Sequence, residues 1–498
     1  MITWYDVANY ALAFTVVLGG MPLFVSMYQF ALVGVHGAKN HYPKCRPYFP
    51  KVSILVPAWN EAPVLDATIE ILMDMDYPLE SLRIYIIDDA STDNTPELMK
   101  EKMEQHKGNV FHLRRAKGGE GKAHTLNFGI KAALKDNWTE ALLIMDADVL
   151  FEKSALRKMT RHLVDPEVGA VTAYIKEGSA PGNLFTRFIA FEYITAQAAS
   201  RRAQNVMKFM ACLAGGAQLH SKDNLMDIGG AIDTSSLAED TFTTFKTQLG
   251  KRKAIFDGNA IVWAEEPDSI QSVWKQRLRW ARGNIQVTRH FKRLWLRKSM
   301  HDKLGSLKFF IIWFTIMLMP VFMIIASVGL VILFFTNFPL SWFLFKLLWI
   351  LNVITYLFVT LYSFMIDPES AKKSWVEGFI FPGLISLVII IVSFIPELLD
   401  RLVEQAIYAG TSEVLKVSVQ AAVLFMYSWL AVCMIPAYTA KIVETKPKLK
   451  FLAKPLLLIS GFGPLLCAIT FASYVAEWKK QEMKWDKTEK TGKVAIKK

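Results

Sequence analysis

The chain has 498 residues, 52% of them apolar, and a formal charge of +12. That length and apolar content exclude a disordered protein and leave room for one large soluble domain plus a membrane part. Much of the basic excess lies beside apolar runs, where it reads as topology and contact with a lipid bilayer, so nucleic acid is not an expected partner.

In chain order, the first element is an apolar run between Asp6 and Lys39 with no Lys, Arg, Asp or Glu inside it. It is too long for a signal-peptide core and has no basic residue before it, so residues 1–38 are expected to be a transmembrane anchor. Lys39, Lys44, Arg46 and Lys51 follow, and the excess of basic residues on cytoplasmic loops puts the region from 39 to about 305 in the cytosol. Further apolar runs cover Phe309–Phe335, Ser341–Met365 (broken by Lys346), Gly378–Pro396, Val417–Ala440 and Pro455–Ala476. Five spans there would export the Lys-rich tail from Lys479 to Lys498, against its charge. One re-entrant or interfacial segment removes the conflict, and Gly378–Pro396 and the Gly461/Gly463/Pro464 segment are the weakest spans. The four cysteines, Cys45, Cys212, Cys433 and Cys467, form no CxxC pair and imply neither a disulfide framework nor a zinc site.

Between the anchors, short β-rich runs alternate with helical patterns. Val52–Pro57, Ile84–Ile87, Val110–Leu113, Ala141–Met145 and Ala170–Tyr174 read as buried strands, with helices near Val64–Met75, Pro96–His106 and Ala123–Leu134 between the first four. This alternation predicts an α/β domain whose mostly parallel sheet has helices on both faces, with ligands gathered at the carboxyl ends of its strands. Two strands end in acid: YIIDDASTDNT delivers Asp88 and Asp89, and LLIMDADVL delivers Asp146 and Asp148. Loop-start aspartates also serve as turn and helix caps. Two carboxylates two residues apart on an extended chain, with a small residue between, however, point the same way and suit Mg²⁺ or Mn²⁺ bridging to a diphosphate.

The turn KGGEGKAHTLN, Lys117–Asn127, fails the P-loop pattern because Ala116 and Ala123 stand where a Gly and a Ser or Thr are needed. It reads either as a mobile surface loop or as a turn into a helix whose N-terminus and Lys122 face an anion. Gly215, Gly216, Gly229 and Gly230 lie in CLAGGAQLHSKDNLMDIGG and would let backbone approach a ligand or turn tightly. In SSLAEDTFTTF, Glu239 and Asp240 open a helix, where the dipole alone favours acid. From Lys275 to Lys298 there are nine Lys or Arg and no acid. Arg289–Lys298 reads as an interfacial amphipathic helix under lipid headgroups. Gln276, Arg279 and Trp280, at i, i+3 and i+4, share one helical face that suits sugar and phosphate rather than lipid. Arg277 and Arg282 are left to face headgroups or other protein.

In the order DDxS (Asp88–Ser91), DxD (Asp146–Asp148), ED (Glu239, Asp240) and QxxRW (Gln276–Trp280), the chain resembles the processive family 2 glycosyltransferases, such as cellulose, chitin, hyaluronan and poly-N-acetylglucosamine synthases. The resemblance covers roughly Pro50 to Arg297. It implies a GT-A fold, with Asp88, Asp89, Asp146, Lys122, Arg279 and Gln276 on a UDP-sugar donor and Asp146 and Asp148 on Mg²⁺ or Mn²⁺. Asp240 would be the general base with Glu239 beside it, and Trp280, Gly215 and Gly216 would meet a growing polysaccharide acceptor, the loop Leu213–Ala217 matching an acceptor-contacting position. The family usually has Thr or Gly before Glu-Asp, where this chain has Ala238.

Implied boundaries are an anchor over 1–38, a cytosolic catalytic domain over 39–268, interfacial helices over 269–305, a transmembrane channel over 306–476 and a basic tail over 477–498. Trp313, Trp342 and Trp429 are candidate stacking rungs of the channel, Trp342 also fitting an interfacial belt. The expected activity is inverting, processive β-polymerisation of UDP-GlcNAc or UDP-Glc at the cell membrane, with a small membrane or export subunit as a further partner. Alternatives are transfer of one sugar to a polyprenyl phosphate or lipid, whose enzymes generally lack QxxRW, and a transporter with a nucleotide-binding domain, disfavoured by the uncharged spans.

Overall fold

The computed structural model describes residues 3–39, 41–393, 401, 403, 413–482, 492, 494 and 495. These divide into two compact units, Met1–Tyr28 with Ile311–Val475 and Gln29–Phe310 with Ala476–Lys498. The end of the Gly378–Pro396 run and much of the basic tail lie outside the described residues.

The N-terminal apolar run forms α1 (Trp4–Gly19) and α2 (Met21–Ala38). The α/β unit then runs β1 (Val52–Ala58), α3 (Ala62–Met73), β2 (Leu82–Asp88), α4 (Thr95–Gln105), β3 (Val110–Arg114), α5 (Lys122–Ala133), β4 (Ala141–Met145), β5 (Val149–Phe151), α6 (Ala155–Thr160) and β6 (Val168–Glu177). It continues with α7 (Leu184–Glu192), a π-helical segment Tyr193–Ala199, α8 (Ser200–Met207), β7 (Ala217–Ser221), α9 (Lys222–Asp227), α10 (Glu239–Leu249), β8 (Lys253–Ala264) and α11 (Ile270–His290). Eight strands form one sheet in the order β3-β2-β1-β4-β7-β6-β8-β5.

All five predicted strands are present, and β1 to β4 pair in parallel because each is joined to the next by a crossover helix, with β1 and β4 buried inside and the more polar β3 (VFHLR) at the edge. Leu126 and Ile130 of α5 share a core with Leu55, Ile87, Leu142 and Ile144 of three of these strands, which seats the helix on the sheet with its first residue, Lys122, at the carboxyl end of β4. The sheet is mixed beyond this point: β7 lies antiparallel to both β4 and β6, and β5 antiparallel to β8. The sequence reading held neither β5, β7 nor β8.

α11 ends at His290, and residues 291–296 are turns rather than the expected continuous interfacial helix. Their apolar side chains turn onto the domain: Phe291 lies 5.0 Å from Phe242 and 5.2 Å from Phe245, and Trp295 stacks on Phe309 at 5.9 Å. The aromatic contacts bury area that the amphipathic reading assigned to lipid.

In the helical unit, Met319–Thr336 and Phe338–Ile366 are long and apolar enough to cross a membrane, as is the N-terminal run Trp4–Ala38. Three bent pairs raise the count to as many as six among the described residues: Pro368–Phe379 with Leu384–Ser393 at 79°, Lys416–Val432 with Met434–Glu444 at 57°, and Lys450–Ser460 with Phe462–Trp478 at 101°. Val16, Leu330, Phe345, Trp349 and Tyr427 form the core of this unit. Trp342 and Trp429 also belong to it, and Trp313 is buried. Trp342 stacks on Phe338 and Phe345, and the Trp429 indole N–H donates to Ser386 Oγ at 3.1 Å. Their rings are taken up by helix packing, so neither the rung nor the belt expectation describes them.

Candidate active site

The site grows from the carboxyl ends of β2 and β4. β2 delivers Asp88, fully buried, whose Oδ1 accepts from the Ser91 amide at 2.8 Å and whose Oδ2 meets Arg114 Nη1 at 2.8 Å. Asp89 pairs with Arg115, and its Oδ2 accepts from the Gly119 amide at 3.0 Å. The Gly-rich turn is therefore docked on Asp89 and is not a detached surface loop. A Cβ on Gly118 would collide with the Asp89 carbonyl oxygen, so the close approach requires glycine.

The turn leads into α5, whose first residue is Lys122. Its side chain is buried, its Nζ pairs with Asp146, donates to the Gly215 carbonyl at 3.1 Å and stands 4.0 Å from Glu239 Oε1. Burial works to strip the Lys122 proton, but the charges of Asp146, Glu239 and Asp240 outweigh it and hold the pKa above the ordinary lysine value. Asp146 keeps 41% of its side chain exposed, whereas Asp148 is buried. A Cβ on Gly215 would sit 3.3 Å from Asp240 Oδ2, and one on Gly216 3.6 Å from Asp146 Oδ2, so this loop backbone threads between the two acidic elements.

Glu239 and Asp240 form the first turn of α10. Burial raises the Glu239 pKa, Lys122 and Arg279 pull it down, and the Asp240 charge pushes it up. Lys122, Ile144, Gly215, Gln218, Glu239 and Asp240 are among the residues lining one small, partly open pocket. Three motifs far apart in sequence thus share one cation.

α11 packs on the residue before Glu239, beside this pocket. A Cβ on Gly283 would lie 2.6 Å from Ala238 Cβ and 2.7 Å from its amide nitrogen. Ala238 is 6% exposed and pressed against that glycine, so its methyl makes an apolar helix contact where the family pattern has Thr or Gly. Along α11, Gln276 Nε2 donates to Glu266 Oε2 at 3.4 Å, and Trp280 is 36% exposed.

Arg277 and Arg282 do not face lipid. Arg277 is buried, pairs with Glu192 at 3.0 Å and stacks its guanidinium 4.0 Å from the Trp280 ring centre. Arg282 is buried too, pairs with Glu477 at 2.8 Å and donates to the carbonyls of Gln481 and Glu482. The sequence reading missed Glu192, Tyr193 and Glu266 as neighbours of the QxxRW face; the one signal was that the basic run needed acidic partners from elsewhere in the chain.

Residues 50–283 match the family described as glycosyltransferase like family 2. The chain is 29% identical over 366 residues to a probable glycosyltransferase of Bacillus subtilis, covering 72% of this chain and 85% of that one. It is 27% identical over 342 residues to a poly-beta-1,6-N-acetyl-D-glucosamine synthase of Staphylococcus epidermidis, covering 66% and 78%. Among solved structures, the mannosyltransferase of Pyrobaculum calidifontis in complex with GDP-Man and Mn²⁺ superposes with a TM-score of 0.54 at 20% identity, over 73% of this chain and 98% of that one. The expected GT-A fold is the fold observed.

Proposed function

We propose that this chain, whose residues 50–283 match glycosyltransferase like family 2, is an inverting, processive β-glycosyltransferase that polymerises a UDP-sugar, UDP-GlcNAc before UDP-Glc, and passes the polymer through its own membrane part. The observation that carries the reading is the single pocket in which the Lys122 ammonium joins Asp146 to Glu239 and Asp240. The half-exposed Trp280 ring on α11 supports an acceptor sugar as its ligand, since an indole face stacks on a pyranose. Relatives named as poly-beta-1,6-N-acetyl-D-glucosamine synthases support the order of donors.

A Mg²⁺ or Mn²⁺ ion fits the residues at the end of β4. Asp146 already bears a cation, the Lys122 ammonium, and Asp148 offers a second carboxylate. Among the described residues no three His, Cys, Asp or Glu side chains converge on one point, so a hard cation there would have to draw the rest of its shell from substrate phosphate and water. Asp148 would hold it directly, with Asp146 beside it, and when bound it would neutralise charge on the departing diphosphate.

In the reaction, Asp240 takes the proton of the acceptor hydroxyl as that oxygen bonds to the anomeric carbon. The bond from this carbon to the diphosphate oxygen breaks on the opposite face and UDP leaves, so an α-linked donor gives a β linkage. Lys122 and Arg279 aim N–H groups at the charge growing on the leaving group. Asp89, with the buried Asp88 behind it, holds the uridine end, Gln276 stays on the donor side with Arg279, Trp280 takes the acceptor ring, and Gly215 and Gly216 bring loop backbone close to it.

The same reading keeps the domain in the cytosol and the tail beside it. Glu477, Gln481 and Glu482 bond Arg282, the Gly492 amide donates to Glu265 at 3.1 Å, and the Ala495 amide to Gly178 at 3.0 Å. A tail on the domain's side needs an even number of crossings after the domain. With two straight helices crossing, at least one bent pair turns back, and the 101° bend at Gly461 supports that pair as re-entrant.

The test is purified full-length protein supplied with UDP-GlcNAc or UDP-Glc and Mg²⁺ or Mn²⁺, its product digested by linkage-specific hydrolases. Polymer from one donor is expected, and Asp240→Asn should abolish it while sparing UDP binding. Transfer of a single sugar to lipid would refute the processive reading, and a fully active Asp240→Asn protein would refute the base.

A further inference from the structure

Trp280 has two faces, and only one of them is available. The guanidinium of Arg277, one helical turn back on α11, lies 4.0 Å from the ring centre of Trp280 and 5.5 Å from that of Tyr193. Arg277 is 6% exposed, and its Nη2 is held at 3.0 Å by Glu192 Oε2. Two aromatic rings therefore flank the guanidinium while Glu192 holds one of its edges. Tyr193 is fixed in turn: its hydroxyl donates to Glu266 Oε1 at 2.6 Å, and the other oxygen of Glu266 receives Gln276 Nε2.

Glu192 ends α7, and Tyr193 begins the π-helical segment Tyr193–Ala199. A π turn inserts one residue into helical register, and such insertions concentrate at functional sites. Here it falls at the two residues that hold Arg277.

We propose that Arg277 is a positioning residue for the acceptor sugar, a platform clamped by Glu192 and Tyr193 that backs the Trp280 indole and leaves the opposite face open to one pyranose ring. The proposal rests on the polymerase reading above and assigns the Glu192–Arg277 pair to acceptor handling rather than to donor binding or to lipid.

Removing Arg277 alone would leave Glu192 buried and unpaired, which endangers folding. The experiment therefore uses the neutral double variant Glu192→Gln/Arg277→Gln, beside Arg277→Lys, Trp280→Ala and the combination of the double variant with Trp280→Ala, all in full-length protein. Each is scored for UDP affinity, for UDP released by donor hydrolysis and for UDP released by transfer into polymer. The double variant is expected to keep UDP affinity and hydrolysis while its ratio of transfer to hydrolysis falls about fivefold to tenfold, the scale of one lost cation–π contact at a partly buried ring. Arg277→Lys, which keeps the charge and loses the plane, should restore less than half of that loss. Adding the double variant to Trp280→Ala should cost nothing further, because Arg277 acts only through that ring. An unchanged transfer ratio, a loss of UDP affinity equal to the loss of transfer, or full additivity with Trp280→Ala would overturn the proposal. If the wild type makes no polymer from either donor, the polymerase reading falls and takes this role with it; wild-type polymer with unaffected variants removes this role alone.

Discussion

Replacing Lys122 by Met removes an ammonium that faces Asp146, Glu239 and Asp240 together. At 4.0 Å from Glu239, in a pocket where the two side chains are 8% and 14% exposed, its attraction for that carboxylate is bounded at about 4 kcal/mol for an effective dielectric constant of about 20. Losing that attraction removes the strongest of the pulls that keep the Glu239 carboxyl ionised. Burial already raises the Glu239 pKa, so the variant carries a carboxyl raised further. A carboxyl whose folded pKa exceeds its unfolded one binds more protons in the folded state between those two values. Stability therefore falls as pH rises through that window, and Lys122→Met widens the window. The midpoint of thermal unfolding, measured against wild type, should drop more at about pH 8 than at about pH 5. In the same titration, transfer should be lost by at least about a hundredfold at neutral pH, the scale of one missing electrostatic donor at the leaving group. A variant whose stability loss is the same at both pH values, or larger in acid, would refute the claim that Lys122 holds the acidic elements together.

Gly283→Ala should drive α11 away from the ED turn, because its Cβ would stand 2.6 Å from Ala238 Cβ; overpacking of this kind costs about 1–3 kcal/mol, read as a lowered unfolding midpoint together with reduced transfer. Gly283→Ala combined with Ala238→Gly should recover part of both, and no recovery would disconnect the two positions. Gly118→Ala should lift the Gly-rich turn off Asp89 and raise the donor KM with little change in kcat, which steady-state kinetics in UDP-sugar would decide. Shortening the chain after Glu477 removes Gln481 and Glu482 as acceptors for the buried Arg282; a loss of about 1–3 kcal/mol is expected in the unfolding midpoint, and an unchanged midpoint would refute the docked tail.

The half of the sheet that the sequence announces is the half built from uniform signals. β1, β2 and β4 are buried along almost their whole length, so an unbroken apolar run followed by acid is sufficient to read them and to find Asp88, Asp89, Asp146 and Asp148. β8 resists the same reading because Asp257, Gly258 and Asn259 interrupt it, and its register against β6 shifts between Ala173 and Tyr174. β7 is only five residues long and carries Gln218 and His220, both buried polar groups, so it lacks the apolar pattern that marks a strand.

The basic stretch around QxxRW shows why the rest of the site stays hidden. Charge read along a chain has no partner until the fold supplies one, and an isolated basic run with apolar spacing is the pattern of a membrane-facing helix. Arg277 finds Glu192 at 85 residues' separation and Arg282 finds Glu477 at 195, so neither pairing leaves a local trace. The π-helical register at Tyr193 is a further step that a 3.6-residue period cannot anticipate. Helical spacing assigned Gln276, Arg279 and Trp280 to one face and left Arg277 and Arg282 over. The residues left over carry the two buried ion pairs, one backing the Trp280 ring and one holding the chain's tail on α11.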